Sequence, residues 1–206
     1  MHEILPGVFH WSTHHERIGQ EVSSYYLSGP EGAALIDPRV PEEGLAWFET
    51  HEAPHDIILT NRHHYRHSDR FVEAFGCTVW CHNAGLHEFS HGEVVRGFDF
   101  GDMLPAGIEA VSVGSICADE TALFIPWARA VAVADGVTRH PADGPLAFVP
   151  DFLMGDDAPA VKQGLCAAYA RLLDRDFDHL LPAHGGPWIG GAHEALRSFI
   201  EAQTRE

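Results

Sequence analysis

Three apolar runs in this chain break off into short polar segments. Ile57-Ile-Leu59 leads into Thr60-Asn-Arg-His-His-Tyr-Arg-His67, Ala130-Val-Ala-Val-Ala134 into Asp135-Gly136, and Leu180-Leu-Pro-Ala183 into His184-Gly185. A β-rich apolar run needs a buried sheet, and in α/β sheets ligand sites gather where the strands end at their carboxyl ends. The pattern therefore limits the chain to layered α/β folds with polar residues delivered to one rim.

Other β-rich stretches agree. Gly7–Trp11, Val22–Leu27, Ala33–Asp37, Asp56–Thr60, Cys77–Cys81, Ile108–Val113, Thr121–Ile125, Ala130–Asp135 and His179–Pro182 are short and bounded by Gly, Pro, Asp or Asn, as strands are. Helical patterns lie between them. Pro41–His51 opens with Pro and two Glu, Ser68 can cap a helix ending before Gly76, and Val161, Leu165, Tyr169, Leu172 and Leu173 repeat at helical spacing after Asp156 and Asp157. Met154-Gly-Asp-Asp157 reads as the capping turn, and Leu196, Phe199 and Ile200 mark a final helix. No linker or repeat divides the chain, so one domain over residues 1–206 is expected.

Charge narrows the function. Thirteen basic against 30 acidic side chains leave −17, and Lys162 is the one lysine. A chain this acidic lacks the basic face that nucleic acids or anionic membranes require, so a small-molecule partner is expected. The longest apolar stretch, Ala122–Ala134, is broken by Pro126 and Arg129, and the N-terminus does not resemble a signal peptide, so a cytoplasmic protein is expected. The four cysteines lie in apolar contexts and read as buried thiols; Cys77, Val79 and Cys81 would share one strand face. Sixteen histidines, twelve of them before residue 92, make metal or acid/base chemistry worth testing.

The candidates concentrate after the first apolar run. If the chain turns helical there, His63 and His67 at i and i+4 share a face and grip one metal; the alternative is an exposed polar loop. Arg62, Arg66 and Arg70 against Asp69 make a local positive island, suited to an anion or to pairing with the chain's carboxylates. Asp135 and His184, each followed by glycine, are site candidates by position, or turn formers. His14 and His15 fall in the first hairpin loop, at the mouth of such a site or simply exposed. No phosphate-cradling glycine loop and no Gly-x-Ser-x-Gly motif is present.

Together these segments resemble the metallo-β-lactamase superfamily, from Ser24-Tyr-Tyr-Leu27 and Ala34-Leu-Ile-Asp37 through the loop after Thr60 to Asp135-Gly136 and Leu181-Pro-Ala-His-Gly185. That family carries a Thr-His-x-His-x-Asp-His loop, a Gly-His element, a bridging Asp and a last His before Gly. Thr60, His63, Asp135 and His184 match; Asn61, Tyr65 and Arg66 replace ligands, and Gly114-Ser115 lacks its His. The resemblance implies an αββα sandwich of two mixed β-sheets flanked by helices. It also implies a hydrolase-like protein with a reduced site: at most one divalent ion (zinc, iron or manganese) on His63, Asp135 and His184, with Asp135 the catalytic group that orients or deprotonates water. Arg62, Tyr65 and Arg66 would shape a pocket for a small anionic molecule, and Asn61, His64 or His67 could add a ligand. The other reading is a non-catalytic binding or sensing domain on this fold, with Arg66 in place of a metal and paired with Asp135.

Overall fold

The structure is a computed structural model describing residues 1–205. Strands β1 (His2–Leu5), β2 (Val8–His15), β3 (Gln20–Gly29), β4 (Gly32–Ile36), β5 (Asp56–Ile58), β6 (Thr78–His82) and β7 (Val95–Phe98) form one seven-stranded sheet in chain order. Pairing is antiparallel from β1 to β4, where tight turns join the strands. It becomes parallel from β4 to β7, where helices α1 (Ala46–Glu49) and α2 (Ser68–Phe75) provide two of the crossovers. Strands β8 (Met103–Leu104), β9 (Ile108–Ser112), β10 (Thr121–Ile125) and β11 (Ala130–Val133) begin a second sheet. A ribbon of β12 (Thr138–Arg139) and β13 (Leu146–Ala147) and helix α3 (Ala158–Leu172) follow. Strands β14 (His179–Pro182) and β15 (Trp188–Ile189) then complete that sheet in the order β15-β14-β11-β10-β9-β8, and α4 (Ala192–Gln203) ends the fold.

Two-residue alternation builds four layers. Ala130 and Ala132 join Tyr25, Leu27, Ala34, Ile36, Ile58 and Leu181 between the sheets. Their neighbours Val131, Val133 and Leu180 turn outward onto Leu165, Tyr169 and Leu172 of α3 and Leu196 and Ile200 of α4. On the other outer face Tyr26, Leu35, Ile57, Leu59 and Val79 pack against Phe48 and Phe71. Both faces of the inner strands are thus buried, which explains their unbroken apolar sequence. Two mixed sheets with helices outside give the expected αββα sandwich.

Local departures have local causes. The segment Pro41–His51 is helical only over Ala46–Glu49, because Pro41 begins a turn closed by Gly44, which has φ +76°. Helix α2 takes His67, not Ser68, as its N-cap; the Ser68 hydroxyl instead donates to the Tyr65 carbonyl at 2.5 Å. Asp157 caps α3 as expected, accepting from Ala160 N at 3.0 Å. Cys77 and Cys81 lie on the outer core face with Val79, and the four cysteines are free of disulfides, Cys117 being half-buried. Burial pushes the Cys77 and Cys81 thiols up to about 12. Among the described residues no helix is long and apolar enough to cross a membrane.

Candidate metal centre

The ends of β5, β11 and β14 meet at one rim. There Asp135 Oδ1 stands 3.0 Å from His184 Nε2 and 3.4 Å from His64 Nε2. The ligand atoms of these three residues all lie within 4.8 Å of one another. Asn61 both starts the turn that brings His64 inward and binds the centre. Its side-chain oxygen Oδ1 accepts from His63 N at 2.9 Å, capping the 3-10 turn Arg62–His64, while its side-chain NH2 donates to Asp135 Oδ2 at 2.8 Å.

Behind His64 lies Asp37, 1% exposed, at the end of β4. Its Oδ1 accepts from Thr60 N at 2.9 Å, and its Oδ2 accepts from Thr60 Oγ1 at 2.5 Å and from His64 Nδ1 at 2.9 Å. The Nδ1 proton is thereby fixed on Asp37, and Nε2 is aimed at Asp135. Burial works against charge on each of these groups, and their mutual attraction overcomes it for most. His64 is desolvated, yet Asp37 and Asp135 on either side push it up to about 9. Burial likewise opposes ionisation of the two carboxyls, but the His64 imidazolium holds Asp37 below the usual carboxylate range. His64 and His184 hold Asp135 well below it. For His184 burial wins over Asp135, and its pKa is lowered.

The expected site residues divide sharply. Asp135 and His184 come together, and their third partner is His64 rather than His63, which is exposed on the far side of the turn. His67 is turned away, its Nδ1 accepting from Val40 N at 3.0 Å. Tyr65 packs on Phe89 with ring centroids 5.7 Å apart, in the outer core layer instead of a substrate pocket. Arg62 is paired with the fully buried Asp119, which also accepts from Arg62 N at 2.6 Å. Arg66 takes a left-handed backbone, φ +48°, and gives its guanidinium to carbonyls: Ser23 at 2.5 Å, Asp37 at 2.7 Å and Ala183 at 3.4 Å. It clips the two sheets together and does not bind the Asp135 carboxylate, whose oxygens are taken by His64, His184 and Asn61.

Two contributors were missing from the expected set. Asp37 carries the same signal as Asp135, an aspartate closing an apolar run. Glu120, 1% exposed, accepts from Gly136 N at 2.7 Å and so supports the Asp135-Gly136 turn from below. Burial and the nearby Asp135 push its carboxyl up to about 7. Nothing local in the sequence marks it.

No protein-family model matches the chain, and comparison with curated proteins yields no significant match. Solved structures are similar over nearly its whole length. A metallo-β-lactamase from Pontibacter korlensis is 20% identical with a TM-score of 0.70, the alignment covering 100% of this chain and 98% of that one. A metallo-β-lactamase family protein from Thermus thermophilus is 18% identical with a TM-score of 0.66, covering 98% and 81%. A protein solved in a di-iron-bound form is 23% identical with a TM-score of 0.65, covering 90% and 96%. The fold is that of the metallo-β-lactamases.

Proposed function

We propose that the protein is a hydrolase-like metalloprotein whose centre takes a single divalent ion on His64, Asp135 and His184 and acts on a small molecule. The observation that carries this reading is the Asp37–His64 contact at 2.9 Å. A carboxylate that fixes one imidazole nitrogen and frees the other is the support that metal-binding histidines characteristically have. The donor set fits: two imidazole nitrogens and one carboxylate leave a coordination position open, as catalytic sites do. Two ions would need more ligands than this cluster supplies, since Asn61 offers its NH2 to Asp135 and its oxygen to the turn. Zinc, iron or manganese held there would supply Lewis acidity toward a water or a substrate oxygen.

The chain's own groups then have distinct tasks. Asp135, whose side chain is 25% exposed, is the carboxylate at the centre open to solvent, and it orients a water by accepting a hydrogen bond from it. Asn61 keeps Asp135 from rotating. His64 would offer Nε2 to a cation only in its neutral form, so uptake would be coupled to loss of the proton held there. A structure of the same fold solved with two irons supports metal binding, and the single ion rests on the smaller ligand set of this chain.

Metal analysis after loading with zinc, manganese or iron and desalting tests it. One ion per chain is expected, lost in His64→Ala and in His184→Ala and retained in His63→Ala. Two ions per chain, or full occupancy in His64→Ala, would overturn it. No uptake of any of the three would favour a second reading, a non-catalytic binding domain. In that case the His64 imidazolium, 2.9 Å from Asp37 and 3.4 Å from Asp135, takes the cation's place.

A further inference from the structure

Every arginine bordering the centre is already engaged. Arg62 is held by Asp119, Arg66 by three backbone carbonyls, and Arg39 by Glu16 at 2.9 Å. Arg139 donates to the carbonyls of Gly144 at 2.9 Å, Gly186 at 3.0 Å and Pro187 at 2.7 Å, and lies over the Trp188 ring at 4.6 Å. Turning Arg66 or Arg139 toward an anion would leave buried or half-buried carbonyls without a donor, which costs more than an exposed ion pair returns.

Beside the centre a cleft of about 230 Å3 opens between the β2–β3 hairpin and the loop joining β12 to β13. Ser12, Gln20, Glu21, His140, Ala142 and Gly185 line it, and among these residues there is no Lys or Arg. It shares a loop with the centre, because Gly185 directly follows His184 and its carbonyl accepts from Ser23 Oγ at 2.6 Å. Its one carboxylate, Glu21, is 61% exposed and lies 3.4 Å from His14. Asp143 follows Ala142 on the same loop, and Arg17 stands on the exposed hairpin turn outside the lining. The volume is below the roughly 300–1,000 Å3 of drug-sized sites, so the ligand is small.

We propose that this cleft binds the non-reacting part of the substrate and that Glu21 selects an amine or alcohol there over a carboxylate. The inference rests on reading the adjacent centre as a small-molecule site, and it departs from the anionic ligand expected from the arginine-rich loop. Those arginines stabilise the rim, so the charge offered to a ligand is Glu21's.

The test uses three matched probes, 2-phenylethylamine, 2-phenylethanol and phenylacetate, titrated into the full chain at neutral pH with backbone amide resonances as readout. The amine and the alcohol should perturb Ser12, Gln20, Glu21, Ala142 and Gly185, and phenylacetate should bind about fivefold or more weakly than the amine. Glu21→Gln should cut the amine preference by about threefold, and Glu21→Arg should reverse it. Equal binding of phenylacetate, a ratio unchanged in Glu21→Gln, or no perturbation of the cleft by any probe would overturn the proposal. Turnover of the p-nitrophenyl esters of glycine, acetate and malonate by metal-loaded protein separates the two readings. No turnover with the binding order intact overturns the hydrolase alone, whereas turnover favouring the malonate ester overturns the cleft's selectivity alone.

Discussion

Asp135 and His184 stand two residues beyond the register pair Val133–Pro182 of the parallel strands β11 and β14, whereas His64 stands in a 3-10 turn that begins only at Arg62. The first two are placed by the sheet. Equal distance past a shared register brings them to the same level, and a glycine after each lets the chain turn away. The third is placed by a cap, since successive residues of a 3-10 turn diverge by about 120° and the entry of the turn decides which one faces inward. Asn61, held on one side by His63 N and on the other by Asp135, makes that decision in favour of His64. A site built from strand ends tolerates little change in backbone, and a site built from a capped turn tolerates little change in side chain.

The largest effect should therefore come from the backbone side. Gly185 has φ +98°, and a Cβ there would sit 2.0 Å from the Arg139 carbonyl oxygen, with the Arg139 carbonyl carbon at 2.7 Å. Both the dihedral and the backbone contact forbid a side chain, so Gly185→Ala should cost about 4 kcal/mol in urea unfolding. A loss below about 1 kcal/mol would show that the β14 loop yields more easily than the sheet-based account allows. On the turn side, His64→Ala in metal-free protein removes the imidazolium from the buried Asp37. The Thr60 bonds to Asp37 remain, so the expected loss is about 3 kcal/mol, at the low end for breaking a buried pair. Unfolding midpoints of the two variants place the regions on one scale.

What the sequence made legible follows the same division. Thr121–Ile125 and His179–Pro182 coincide with β10 and β14, and the expected α3 ends one residue late, because long apolar periodicity survives in the fold. Strands β1, β7, β8, β12, β13 and β15 went unrecognised. Each has two to four residues, too few for alternation to register, and they lie at sheet edges or in the small ribbon. Asp135 and His184 were legible at the centre because an apolar run followed by a polar residue and Gly is a linear signal. The identity of the third residue was not, since His63 and His64 are adjacent and only the Asn61 cap distinguishes them. Of the two readings of the arginines, pairing with the chain's carboxylates fits Arg62 with Asp119, whereas composition shows charge without its acceptors and those of Arg66 are carbonyls distant in sequence.

Smaller effects sharpen the comparison further. His10 tethers the β14 side: its Nε2 lies 2.9 Å from Ser23 Oγ, and that hydroxyl donates to the Gly185 carbonyl. Burial, with His2 and the N-terminal amine nearby, lowers His10 from 6.5 to about 4. Between those values the unfolded chain binds a proton that the folded chain refuses, so stability falls as pH drops from 6.5 to about 4 and is unaffected by this group above 6.5. Wild type should lose about 2 kcal/mol relative to His10→Gln as pH falls through that window, and parallel pH profiles would remove His10 from the account. The smallest effect belongs to the residue that spacing alone would select. His63 is exposed, and its backbone N–H, which survives any side-chain change, is the group that Asn61 uses. His63→Ala should therefore shift stability by less than about 0.5 kcal/mol. Adjacent histidines would then differ by about 2.5 kcal/mol or more, solely from the side of the turn on which each falls. A His63→Ala loss comparable to that of His64→Ala would mean that the turn presents both rings to the centre and that the cap does not choose between them.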